Sequence, residues 1–207
     1  TCIVEIVKFL TNHLIKNKSG RLIYCGAGTS GRIAVQDSIE LYPTFGWPMD
    51  RMDFIIAGGN DALIKSVENS EDNRNEARNS FKIKKISSKD VVICIAASGN
   101  TPFTNEIINL SNKNKIKTIA ISNNPHGNLH KKANYKIILN TGQEVVAGST
   151  RLKAGSAQKL CLNILSTLLM TRLGRVKNGL MINLVPNNEK LRKRNKRIKT
   201  LNKENTN

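Results

Sequence analysis

Acidic side chains are scarce in this chain. Its 207 residues carry 15 Asp and Glu against 33 Lys and Arg, a formal net charge of +18. The excess is uneven, since residues 151–207 hold 14 Lys and Arg and only 2 Asp and Glu. The basic run at 190–199 invites a polyanion. Aromatic residues make up only 4% of the chain, and none interleaves with that run to stack on bases. The run therefore reads as a solvated helix and tail, and no nucleic-acid partner is expected. Long apolar runs are missing too. No stretch approaches the roughly 18 residues of a membrane span, and no signal peptide is visible, so no membrane partner is expected. Cysteine is sparse: Cys2, Cys25, Cys94 and Cys161 form no CxxC pair and read as small buried hydrophobes of a reducing compartment. The three histidines are unclustered. His126 and His130 share a helical spacing but have no third ligand, so no metal site is expected. There is no internal repeat. The length suits one domain with ample core. The chain opens inside a helical pattern (Ile3, Ile6, Val7, Leu10, Leu14), which reads as a trimmed N-terminus.

Glycine is concentrated at one informative place. The run Tyr24-Cys25-Gly26-Ala27-Gly28-Thr29-Ser30-Gly31-Arg32 joins a short apolar strand to a helical pattern. Such a turn brings backbone N–H groups and the positive end of a helix to one point, which suits a phosphate. The spacing Gly26-x-Gly28-x-x-Gly31 also fits a dinucleotide fingerprint, but alone that signal is weak. A ribose carboxylate should follow at the end of the next strand, and that strand instead runs into Gly58-Gly59-Asn60. A nicotinamide cofactor is thereby disfavoured. A second turn repeats the pattern. Val91-Val92-Ile93-Cys94-Ile95-Ala96 is a continuous apolar run, as in a parallel strand buried on both faces. It enters Ala97-Ser98-Gly99-Asn100-Thr101, with Pro102 suited to the first turn of a helix. Two hydroxyl-lined turns at strand ends suit a small phosphorylated polyol. The plainer alternative is that the Ser and Thr side chains cap the two helices.

Element order completes the frame. Strands are predicted near 21–25, 52–57, 91–95, 117–121 and 135–139. Helices are predicted near 2–17, 31–41, 60–70, 101–114, 126–132 and 151–173. This alternation predicts an α/β fold, a three-layer αβα sandwich with a five-stranded parallel sheet of flavodoxin-like type. The last of these helices places Leu152, Gly155, Leu160, Ile164, Leu165, Leu168 and Leu169 on or near one face. Its small residues at 154–157 would allow a close approach.

Several segments together support a family. They are Gly26-Ala27-Gly28-Thr29-Ser30-Gly31-Arg32, Ala57-Gly58-Gly59, Glu68-Asn69-Ser70-Glu71-Asp72, Ala96-Ala97-Ser98-Gly99-Asn100-Thr101-Pro102, and Gly148-Ser149-Thr150-Arg151-Leu152-Lys153-Ala154-Gly155-Ser156-Ala157-Gln158-Lys159. From about residue 18 to about 198 the chain resembles the N-acetylmuramic acid 6-phosphate etherases, which share the sugar isomerase (SIS) fold with the glucokinase regulatory protein. The resemblance implies a SIS domain at 1–180 and a basic extension at 181–207. It implies a cytoplasmic lyase that splits the lactyl ether of an amino sugar 6-phosphate into N-acetylglucosamine 6-phosphate and D-lactate, during cell-wall recycling. It implies a homodimer with sites near the interface. Substrate-binding positions would be Gly28, Thr29, Ser30, Ser98, Gly99, Asn100, Thr101, Glu144, Ser149, Thr150 and Lys153. Glu40 and Glu71 match the family's catalytic glutamates, with Asp72 close by. The chain departs from the family pattern at Leu41-Tyr42-Pro43, at Asn100 and at Phe103.

The chemistry fits these residue types. In the open-chain sugar the aldehyde acidifies the C2 proton, a base removes it, and an acid protonates the C3 ether oxygen as lactate departs. Water then adds. Two acid/base groups and a phosphate anchor are needed, and no cofactor is called for. Glu40 is expected to serve the leaving oxygen, and Glu71 or Asp72 the C2 proton. Two rival readings are a sugar-phosphate-binding regulatory protein without catalysis and a DNA-binding regulator. The second lacks a helix-turn-helix.

Overall fold

The computed structural model describes residues 2–204, with side chains described through 201. Thr1 and the end of the basic extension, 205–207, lie outside the described residues. Five parallel strands form one sheet in the order β2-β1-β3-β4-β5. They are β1 (Leu22–Gly26), β2 (Met52–Ile56), β3 (Val91–Ile95), β4 (Lys117–Ser122) and β5 (Tyr135–Ile138). The helices are α1 (Ile3–Lys16), α2 (Gly28–Phe45), α3 (Arg74–Ile83), α4 (Pro102–Lys113), α5 (Asn128–Lys132), α6 (Lys153–Arg172) and α7 (Glu189–Glu204).

The continuous apolar runs of β1 and β3 follow from having a core on each face. Leu22, Tyr24, Val91, Ile93 and Ile95 face a layer with α1, α2 and α6. Ile23, Cys25, Val92 and Cys94 face the layer of α3, α4 and α5. Successive side chains alternate between the two layers, so neither parity can be polar. The expected three-layer sandwich is the observed one. Charges close the far end of the sheet: Arg21 Nη2 meets buried Asp90 at 3.0 Å, and Lys84 Nζ meets Asp53 at 2.6 Å. The glycine turns lie at the other end.

Two expectations are corrected. No helix spans 60–70. Asn60–Leu63 and Ser70–Asp72 are single 3-10 turns, and the helix comes later, as α3. Asn73 starts it, its side chain accepting the Glu76 N–H at 3.0 Å, and Ala77 and Phe81 bury one stripe. The α6 leucines do not share one face: Leu165 and Leu169 are buried, whereas Leu160, Ile164 and Leu168 are 61, 41 and 38% exposed. Of the small residues of α6, Ala154 and Gly155 are buried and Ser156 is exposed. A Cβ on Gly155 would lie 3.4 Å from Ile33 and Thr29 of α2.

Candidate functional site

In the strand order 2-1-3-4-5, the connections leaving β1 and β3 diverge to opposite faces of the sheet. A crevice opens there, outside the carboxyl ends of the two strands. Both glycine turns sit on it. The first needs glycine for close approach: a Cβ on Gly26 would come within 2.8 Å of the Gly31 backbone, and one on Gly31 within 2.9 Å of Gly26. This brings the start of α2 hard against the end of β1. Its first turn then presents the N–H groups of Gly28, Thr29 and Ser30, which have no partner inside a helix. In the second turn, Gly99 packs on Gly127, where a Cβ on either would meet the other's Cα at 2.8 or 2.7 Å. The Leu129 N–H donates to Gly99 O, and the Asn128 N–H to Asn100 Oδ1 at 3.0 Å, so α5 pins this turn from behind.

The crevice is a cleft of about 420 Å³, lined by Gly28, Thr29, Ser30, Glu71, Ser98, Asn100, Thr101 and Thr150, with Gly148 and the backbone of 96–97. Eight of the expected site residues thus meet in one cavity. The capping alternative for the hydroxyls fails. Ala27 stands at the N-cap of α2, and Thr101 at that of α4, and neither position makes a side-chain cap bond. Ser98 Oγ accepts the Asn100 N–H at 3.1 Å, which leaves its proton for a ligand. A second cleft of about 290 Å³ adjoins the first through Gly28 and Glu71, and adds Arg32, Glu68 and Asn69. Arg32 holds the loop carrying Glu71, donating to Ala62 O at 2.8 Å and Lys65 O at 3.0 Å.

Other expected residues stand elsewhere. Gly99 shapes the turn without lining the cleft, and Asp72, Ser149 and Lys153 are not in its wall. Phe103, a departure from the family pattern, is fully buried in the core beneath. Both Glu144 carboxylate oxygens accept backbone N–H groups at the start of α6, from Lys153 at 3.0 Å and Ala154 at 2.8 Å. Glu144 is therefore an N-terminal cap. Glu40 is not near the end of its helix. It lies inside α2, twelve residues beyond Gly28 and so about 18 Å along the axis at roughly 1.5 Å per residue. It is exposed and lines neither cleft. One turn before it, Asp37 is only 4% exposed. Burial raises the Asp37 carboxyl above its ordinary range, opposed by Lys159 and Ser166.

Sequence reasoning missed Glu76 and Asn123. Glu76 Oε1 accepts the Gly58 N–H at 2.7 Å, tying the loop after β2 to α3. Asn123 accepts from the fully buried Gln158 at 2.9 Å and donates to Leu139 O at 3.2 Å, joining β5 to α6. The Asn73-x-x-Glu76 spacing signals the start of α3, but nothing local signals the reach of Glu76 to Gly58 or of Asn123 to Gln158. Among the described residues no group of three metal-ligating side chains converges, and no helix is long and apolar enough to cross a membrane.

The family model for the glucokinase regulatory protein N-terminal SIS domain matches residues 3–112, and the SIS domain model matches 76–168. The chain belongs to the SIS family. This SIS chain is 46% identical over 196 residues to the N-acetylmuramic acid 6-phosphate etherase of Clostridium acetobutylicum, covering 95% of this chain and 64% of that one. It is 46% identical to the enzyme of the same name from Pasteurella multocida, over 87% and 60% of the two chains. It spans about three fifths of the length of the curated relatives it matches. Among solved structures, a phosphosugar isomerase involved in capsule formation from Bacteroides fragilis superimposes with a TM-score of 0.62 at 21% identity, over 84% of this chain and 82% of that one. That likeness concerns the fold.

Proposed function

We propose that this SIS chain forms the sugar-phosphate site of a cytoplasmic carbon–oxygen lyase. It would cleave the D-lactyl ether of N-acetylmuramic acid 6-phosphate to N-acetylglucosamine 6-phosphate and D-lactate. The observation that carries this reading is the cleft at the β1–β3 switch point, where two uncapped hydroxyl turns face Glu71. Ser30, Ser98 and Thr101 hold the 6-phosphate with the N–H groups that open α2 and α4. Glu71 sits in the wall shared by the two clefts, within reach of a sugar carbon beyond the phosphate, and takes the C2 proton. Elimination then expels lactate from C3, and the ether oxygen gains a proton as its bond to C3 breaks. Water adds to the resulting double bond, restoring the C2 proton and the C3 hydroxyl.

Glu40 is the donor of the proton to the leaving oxygen, and it acts from a second copy. Its place on α2, well away from its own cleft, supports this. So does exposed apolar surface on the same chain, with Ile39 of α2 48% exposed and Leu160, Ile164 and Leu168 of α6 61, 41 and 38% exposed. Residues 181–207 form a basic extension of the SIS domain. The reading is tested by incubating the protein with N-acetylmuramic acid 6-phosphate and assaying D-lactate. Release is expected, and it should vanish in Glu71→Gln. Tight binding of the sugar phosphate with no release from the parent favours the regulatory alternative. One observation favours that alternative: a single copy brings only one of the two glutamates to the cleft.

A further inference from the structure

A third cleft, of about 430 Å³, lies between α2 and α6 and has no part in the phosphate site. Its walls include Ile33, Arg151, Ser156, Lys159, Leu160 and Asn163. Two of these are cations, and no carboxylate lines it. Arg151 has no acidic partner among the described residues. Lys159 is held only loosely. Its Nζ stands 3.6 Å from Asp37 Oδ1, and its side chain is 31% exposed. Asp37 is otherwise poorly satisfied: Ser166 Oγ approaches Oδ1 at 3.5 Å, and Oδ2 is buried with no hydrogen bond. The carboxylate therefore works as an anchor that keeps a partly free ammonium at the mouth of the cleft, with donors to spare.

The location matters as much as the charge. Ile33, Asp37 and Glu40 fall on one stripe of α2, spaced four and three residues apart. The cleft thus opens on that stripe at Ile33, and Lys159 reaches from its wall to Asp37, one turn short of Glu40. In a lactyl ether the carboxylate is two bonds from the ether oxygen, and a methyl group sits on the carbon between them. Whatever side chain protonates that oxygen must therefore stand beside the group that receives the carboxylate. The neighbouring smaller cleft, with Arg32, suits an anion less well because Glu68 and Glu71 share its wall.

We propose that Lys159, assisted by Arg151, receives the carboxylate of the 2-alkoxypropionate arm, while Ile33 and Leu160 receive its methyl group. Lys159 is then a specificity-determining residue that separates the lactyl ether from the same sugar phosphate without the arm. This rests on the lyase reading.

The test uses calorimetry in a Glu40→Gln background, which prevents turnover. The ligands are N-acetylmuramic acid 6-phosphate and N-acetylglucosamine 6-phosphate. The background protein should prefer the muramic compound by about tenfold or more, the scale of one charge-assisted contact. Adding Lys159→Gln should bring the two affinities to within roughly twofold by weakening only the muramic compound, and Lys159→Arg should keep the preference. Since Lys159→Gln strands buried Asp37, the pair Asp37→Asn with Lys159→Gln serves as the folded control, and Arg151→Gln as an exposed arm of the experiment. Loss of both affinities together would mark Lys159 as structural and overturn the proposal, as would an unchanged ratio in Lys159→Gln, in its pair with Asp37→Asn and in Arg151→Gln. If the parent releases D-lactate yet binds the two sugars equally, the lyase reading stands and this inference fails. If it binds neither sugar, both fail.

Discussion

Ser98 makes one hydrogen bond within the chain, and the direction of that bond decides what the residue can do. Its Oγ accepts the Asn100 N–H, so the hydroxyl proton is left to point into the cleft. Ser30, in the first turn of α2, is buried and makes no side-chain cap bond. A doubly charged phosphate placed between them gains charge-assisted donors that water would otherwise supply. Removing one donor strands part of that charge. Ser98→Ala should therefore weaken N-acetylglucosamine 6-phosphate by about 1–3 kcal/mol, read by calorimetry. Ser30→Ala should cost a similar amount. Full affinity in both variants would remove the phosphate from this cleft. Lys85→Ala, at the far end of the sheet, should change nothing.

The loops of the site were legible in the sequence because their chemistry is local. Glycine spacing, hydroxyls and Pro102 all lie within a few residues of each turn, and the apolar strands announce two cores by their lack of polar parity. The rest was hidden for physical reasons. Ala62, Leu63, Ile64 and Val67 mimic a helical stripe, yet Ile64 is exposed and the segment is a loop pinned by Arg32. Glu40 stands close to the first turn in sequence, but an unbroken helix carries it away. Nothing local announces that α5 is a staple for the second turn, because its bonds to Gly99 and Asn100 reach back about 30 residues. Within that staple Ser122 Oγ donates to Asn124 O, so the 2.6 Å contact with His130 Nε2 requires the ring to donate there. Buried Nδ1 is then left without a partner. Burial, reinforced by Lys136, lowers the His130 pKa below its usual 6.5. A pKa depressed in the fold means that the unfolded chain binds the proton first. The stability contributed by His130 is therefore whole above the unfolded value and is lost as pH falls from there toward the folded value. Hydrogen exchange, corrected for intrinsic rates, should show α5 and the 98–101 turn losing protection between about pH 7 and pH 5. Protection that does not change across this range would mean that the staple does not depend on neutral His130.

At the scale of the whole molecule, the acid and the base of the proposed reaction lie on different surfaces of one chain. Glu71 lies in the cleft at the β1–β3 crevice. Glu40 lies exposed on α2 next to exposed Ile39, and α6, which packs on α2, leaves Leu160, Ile164 and Leu168 exposed. A monomer that leaves such an apolar band in water gains by covering it, and a second copy can do so with matching surfaces. Two-fold association would repay each chain with the other's glutamate. The arrangement makes a prediction that no single-chain site can imitate. Glu40→Gln and Glu71→Gln should each be inactive alone. Mixed in equal amounts after partial unfolding and refolding, they should form hybrids in half of the pairs. In each hybrid one site has lost both glutamates and the other has kept both. Random assortment then restores roughly a quarter of the parent rate of D-lactate release. Adding Ile164→Lys to either partner should abolish the recovery and give a monomer by light scattering, because a charge buried in that band has no partner. If the mixture stays inactive while each variant still dimerises and binds N-acetylglucosamine 6-phosphate, then Glu40 and Glu71 do not meet across two copies. The proton for the leaving oxygen must in that case come from a residue of the same cleft.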